Sequence, residues 1–181
     1  GKTSTMSHIL SGIQSQQVDA SQIGMGSTAR YESKLKRIIS TGFSARTTAG
    51  WMQHMVEQKL HRVNHDILGS PPGHENIIFI DDINLSAVDA NDSQSVSEFM
   101  RQLLERQGFY DSGEHYWKNV VDTKVVAAAT CSLKGQNSLD QRLLQKFSVL
   151  FLPSPSRESI RSIYSKSVLL FMERHDDAKL Q

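Results

Sequence analysis

Cysteine is almost absent. Cys131 is the single one in 181 residues, which excludes an internal disulfide framework and fits a reducing compartment. An excess of either charge is absent too. Twenty basic and nineteen acidic residues leave a net charge of +1, and neither sign gathers into a run. General electrostatic affinity for nucleic acid or an anionic membrane surface is therefore not expected. The longest apolar runs, such as 168–172, fall far short of the ~20 residues that a membrane-spanning helix needs, so no membrane insertion is expected. The chain shows no internal repeat, no low-complexity tract and no signal-peptide pattern. What remains is an ordinary globular composition, 38% apolar and 22% charged. The length suits one domain with a real core, or one domain and the start of another.

Along the chain, residues 3–13 read as a short helix and 14–27, rich in Gly, Ser and Gln, as a loop. A strand is expected over 35–43. Met52, Met55, Val56, Leu60 and Val63 recur at helical spacing and predict an amphipathic helix over 49–63. Gly69-Ser70-Pro71-Pro72-Gly73 is a turn that no regular element crosses. Ile77-Ile78-Phe79-Ile80 then forms an uninterrupted apolar run, as suits a parallel strand buried on both faces. Val96, Phe99, Met100, Leu103 and Leu104 predict a helix that Gln107-Gly108 ends. Residues 124–129 and 149–152 are further buried-strand candidates. Ser154-Pro155 predicts a helix start, with Ile160, Ile163, Tyr164, Val168 and Phe171 on its apolar side. Strands alternating with helices predict an α/β fold with a mainly parallel sheet.

Two short motifs carry chemistry. Gly1-Lys2-Thr3 equals the end of the phosphate-binding loop G-x-x-x-x-G-K-[ST]. There, backbone N–H groups at a helix start cradle phosphate, the lysine neutralises the outer phosphates and the hydroxyl ligates Mg²⁺. The tripeptide occurs often by chance, and its bland reading is an exposed stretch of chain. The second motif is the run 77–80 followed by Asp81-Asp82. One acid at a strand end holds Mg²⁺, and the next orients or deprotonates the attacking water. Its bland reading is a strand ending in a solvated turn. Both motifs together, in this order and at this separation, point to a P-loop ATPase. The seven histidines show no tight ligand spacing and read as surface groups. Trp51 and Trp117 read as packing residues, and Cys131 beside a buried strand as a small apolar filler.

A family resemblance runs through Phe43-Ser44-Ala45-Arg46-Thr47-Thr48, Phe79-Ile80-Asp81-Asp82-Ile83-Asn84-Leu85, Asp89, Gln94 and Phe99-Met100-Arg101-Gln102-Leu103. It continues through Gly108-Phe109-Tyr110, Trp117, residues 125–129 and Ser159-Ile160-Arg161-Ser162-Ile163-Tyr164. This pattern resembles the dynein heavy chain, most closely the third AAA+ module of its motor ring. The resemblance implies a P-loop AAA+ fold that begins inside the phosphate loop, so that a larger polypeptide supplies the strand before it. It implies an AAA+ large subdomain over 1–153 and the start of the small helical subdomain over 154–181. It further implies ATP or ADP with Mg²⁺ as cofactors. Neighbouring AAA+ modules, intermediate and light chains, and microtubules reached through the parent chain are the implied partners. The implied location is cytoplasm and cytoskeleton, extending to the cilium or flagellar axoneme. The spacing over 108–117 leans toward cytoplasmic-type chains.

Carried over position by position, Gly1, Lys2, Thr3, Ser4 and Asp81 match the nucleotide site, with Thr3 and Asp81 as the Mg²⁺ pair. Asp82 stands where the catalytic Glu usually stands, one methylene shorter. The polar sensor falls at Cys131 or Thr130, and cysteine orients water poorly. The family's Arg-x-x-Arg appears as Arg142-Leu143-Leu144-Gln145, so the finger position holds an uncharged Gln145. Arg142 could serve in trans instead, although a structural ion pair is its blander role. Three readings follow: a hydrolysing motor module, a regulatory module with slow or no hydrolysis, and a module of another AAA+ machine such as a giant ribosome-maturation ATPase. Asp82, Cys131 and Gln145 favour the second.

Overall fold

The computed structural model describes residues 2–22, 34–86, 88, 94–111, 113–130 and 139–177, without the side chains of 15–22 and 173–177. The chain forms two compact units, Gly1–Val149 and Leu150–Gln181.

The first unit is built on three parallel strands in the order β1 (Leu35–Gly42), β4 (His74–Asp81), β7 (Thr123–Ala127). This is the parallel sheet that the apolar runs predict. The central β4 shows why its sequence has no polar alternation. Ile78 and Ile80 join a large cluster with Met52 and Val56 of α2 (Ala49–Lys59) and Met100 of α3 (Ser95–Arg106). Ile77 and Phe79 point to the other face, where they pack with Leu10 of α1 (Lys2–Gln22) and with Ala128. A period of two on a strand covered on both sides demands apolar residues at every position.

Helix α1 runs to Gln22, past the expected end at residue 13. Its second half holds no Gly or Pro, and its glutamines and alanine are good helix formers. The expected loop thus gives way to helix over 14–22, and residues 23–27 lie outside the described ones. Helix α2 starts as expected, with the Thr48 hydroxyl accepting from Trp51 N–H at 3.2 Å. It stops at Lys59, four residues before the predicted end, because the chain turns into a hairpin of β2 (His61–Asn64) and β3 (Ile67–Gly69).

That hairpin belongs to a second sheet, β2-β3-β6-β5, with β5 at Gly108–Tyr110 and β6 at Trp117–Val120. Sequence periodicity does not reveal it. Gly108 is forced by close approach: a Cβ there would lie 2.5 Å from Lys118 O and 2.7 Å from the Trp117 ring. Gln107 takes the left-handed turn that ends α3, with φ 50°. Buried Asn76 ties this sheet to the start of β4, donating to Gly69 O at 2.9 Å and accepting from the Ser70 hydroxyl at 3.4 Å. A short helix α4 (Gln141–Leu144) follows, with Leu143 buried.

Residues 149–152 are not the strand their composition predicts. They pair with none of the described strands, and Val149 and Phe151 are 67% and 80% exposed. Apolar, β-prone residues form a buried strand only where a neighbour takes their N–H and C=O groups. In the second unit, α5 spans Arg157–Asp177. Its cap is Ser156, whose hydroxyl accepts from Ser159 N–H at 3.1 Å, rather than Ser154. Ile163, Tyr164, Val168 and Phe171 stand exposed along it.

Candidate nucleotide-binding site

The site lies at the carboxyl edge of the parallel sheet. Register places Asp81 opposite Gly42 of β1, one residue past the last β4–β7 pair, Ile80 with Ala127. Asp81 is half-buried, and its Oδ1 accepts from the N–H of Asp82 at 3.1 Å. Asp82 then turns the chain with φ 50° and ψ 48°, a left-handed conformation that Asp tolerates better than most residues. A single 3₁₀ turn, Ile83–Leu85, follows, with Ile83 N–H donating to Ala128 O at 3.0 Å.

The chain leaving β7 meets this turn and the head of α1. Lys2 Nζ donates to Ala129 O at 2.8 Å. The Thr130 hydroxyl donates to Asp82 Oδ1 at 3.1 Å. Buried Asn84 bonds both the N–H and the C=O of Thr130. Lys2, Asp82 and Thr130 are thereby brought to one place from three distant stretches of sequence. Thr130, one of the two sensor alternatives, contacts the second acid. Cys131 and Gly1 lie outside the described residues, as does Asp89. Asn84 went unnoticed as a site residue, although a polar residue inside an otherwise apolar turn after two acids was a visible signal.

The other predicted residues that the structure describes lie exposed. Thr3 and Ser4 occupy the first turn of α1, both exposed. Arg142 is exposed on α4, where Asp140 Oδ1 caps its backbone N–H at 3.1 Å. Among the described residues its guanidinium forms no ion pair. Gln145 is exposed. The adjacent Lys146 pairs with Glu105 at 3.4 Å, and Lys146 and then Arg101 hold the Glu105 carboxyl below its usual range.

The sequence model of the P-loop containing dynein motor region matches residues 21–155. The chain belongs to the dynein heavy-chain family. It is 36% identical over 126 residues to human dynein axonemal heavy chain 6, across 70% of this chain and 3% of that protein. It is 38% identical over 128 residues to human dynein axonemal heavy chain 14, across 70% of this chain and 4% of that protein. It is also 33% identical over 137 residues to the dynein-1-alpha heavy chain of the flagellar inner arm I1 complex of Chlamydomonas reinhardtii, across 75% of this chain and 3% of that protein. The chain thus corresponds to a few per cent of the length of these dyneins.

The residues of this dynein segment fit a magnesium nucleotide. Two adjacent carboxylates, Asp81 and Asp82, end a buried strand, and among the described residues no ion pair neutralises either. Uncompensated paired acids favour a divalent cation. No group of three or more His, Cys, Asp or Glu gathers as an all-protein metal cage among the described residues. Mg²⁺ needs none, since it is usually held by one or two carboxylates together with phosphate oxygens.

Proposed function

We propose that this dynein segment is the nucleotide-binding core of one AAA+ module, the third of the motor ring, acting as a regulatory site with slow hydrolysis. Residues 1–153 are its large subdomain and 154–181 open the small helical one. The observation that carries this reading is the convergence of Lys2 and the Asp81-Asp82 pair on the ends of β4 and β7. In open α/β sheets, ligands bind beyond the carboxyl ends of the strands.

When bound, Mg²⁺·ATP supplies the phosphoryl group and the cation that polarises it. Gly1, Lys2 and Ser4 would hold its phosphates, Lys2 giving up its bond to Ala129 O. Thr3 and Asp81 hold the cation, and Asp82 orients the attacking water. Slow turnover has three sources. Asp82 reaches less far than Glu, Cys131 stands beside the sensor position, and uncharged Gln145 stands at the finger position. An arginine finger is worth about three to five orders of magnitude in related phosphoryl transfer. Arg142, exposed and without an ion pair among the described residues, is a guanidinium near that position that could act in trans.

For the parent chain we infer an ATP-driven, minus-end-directed microtubule motor with neighbouring AAA+ modules and with intermediate and light chains. The axonemal and flagellar names of the relatives support a cilium or flagellum over the cytoplasmic-type lean of the 108–117 spacing.

The test is single-turnover hydrolysis in the full motor with its main ATPase site disabled. Lys2→Ala should abolish nucleotide occupancy here, and Asp82→Asn should slow the already slow turnover by about tenfold or more. If Asp82→Asn removes a fast phase, the site is a working ATPase instead.

A further inference from the structure

Asn84 is 2% exposed and spends its whole amide on one partner 46 residues away. Nδ2 donates to Thr130 O at 3.0 Å, and Oδ1 accepts from Thr130 N–H at 3.3 Å. The β4–β7 ladder has stopped by then, at Ile80 and Ala127. Beyond it, Ala128 N–H donates to Ile80 O and Ile83 N–H donates to Ala128 O. Asn84 prolongs this stitching by acting as a surrogate strand residue, taking both peptide groups of Thr130. The hydroxyl of Thr130 is then aimed at Asp82 Oδ1, 3.1 Å away. A leucine at 84 would fill the same space but leave both peptide groups of Thr130 without these partners.

Asp82 itself has a left-handed backbone, and its carboxylate rotates freely unless something holds it. We propose that Asn84 is a positioning residue for Asp82: it fixes the Thr130 peptide so that the Thr130 hydroxyl holds Asp82 in one orientation. Oδ1 then holds the Thr130 hydroxyl, and Oδ2, with no hydrogen-bond donor among the described residues, can accept from water. The proposal rests on the reading of this site as a nucleotide site.

The test uses the full motor with its main ATPase site disabled and has two arms. One arm measures single-turnover rate and nucleotide dissociation constant at this site. The other measures amide exchange over 123–130 with no nucleotide present. Thr130→Val should slow turnover about tenfold, the usual loss when a supporting partner goes. Its dissociation constant should stay within about twofold, because no ground-state contact is lost, and amide protection should be unchanged. Thr130→Ser, which keeps the hydroxyl, should recover most of the rate. Asn84→Leu should slow turnover as much as Thr130→Val and accelerate exchange at Thr130 about tenfold. The double variant should be no slower than either single one, because both act through one link.

Unchanged exchange in Asn84→Leu overturns the proposal. So does additivity in the double variant, or a loss that appears only as weaker nucleotide binding. A wild-type motor that takes up no nucleotide here defeats the proposed function instead. The exchange arm still reads the clamp in that case, and accelerated exchange in Asn84→Leu keeps Asn84 as the residue that holds Thr130.

Discussion

The two ends of strand β4 are governed by different rules. At its amino end the buried polar side chain has been matched. Asn76, fully buried, bonds Gly69 O and Ser70, and its own N–H donates to Asp122 O at 2.8 Å. In the neighbouring second sheet, Lys118 is only 12% exposed and is held between Glu57, at 3.1 Å, and Asp111. At the carboxyl end, two carboxylates stand side by side with no cation paired to them among the described residues, on a backbone forced left-handed. One end is arranged for stability, while the other keeps charge uncompensated, which is what a ligand of opposite charge requires. Matched polar groups and uncompensated charge are thus separated along one strand and the turn that leaves it.

The comparison can be broken most forcefully in the middle. Phe79, 2% exposed between the sheet and α1, should cost about 3–5 kcal/mol on truncation to alanine. Exchange of the β4 amides in the parent motor should report it. Failure to accelerate would mean that the two faces of β4 are not a shared core. A smaller effect is expected at the amino end. Asn76→Ala leaves Gly69 O without its donor and should cost about 1–3 kcal/mol, with loosened exchange over 67–70 and unchanged nucleotide binding. A loss of binding there would erase the distinction between the ends.

The smallest effect depends on pH. The Lys118 ammonium beside Asp111, with the N–H groups of Glu114 and Gly113, holds the Asp111 carboxyl down to about 2 from its ordinary 3.8. A carboxyl lowered on folding contributes stability that is present above its unfolded value and lost as pH falls through the folded one. The loop joining β5 and β6 should therefore hold from pH 7 down to about 4 and loosen between about 4 and 2. Trp117 fluorescence can follow this, and Asp111→Asn should remove the acid transition. Lys118 behaves oppositely. Burial lowers its pKa, but Asp111 and Glu57 outweigh burial and raise it, so its contribution fades only in strong alkali.

Legibility in the sequence divides along a similar line. The central parallel strand was readable because burial on both faces writes apolar residues at successive positions, as at 77–80. The second sheet was not readable. Its strands are three or four residues long, and its two hairpins join only through β3 and β6, far apart in sequence, so no local period marks them. Composition misled at 149–152, where apolar residues that favour strand have none of the described strands to pair with. In the site, the acids announced themselves by ending a strand. The clamp did not, because nothing in the sequence joins Asn84 to Thr130 until folding sets them 3.0 Å apart.

The backbone at Asp82 also recasts the methylene that separates it from the usual Glu. At φ 50° and ψ 48°, aspartate and asparagine are several-fold enriched over longer side chains. A non-glycine residue lacking their local hydrogen bonding is strained there by about 1–2 kcal/mol. Asp82→Glu, which restores the customary acid, therefore also strains the turn that carries it. The short side chain is a conformational choice, compatible with a tight exit from β4, before it is a catalytic shortfall.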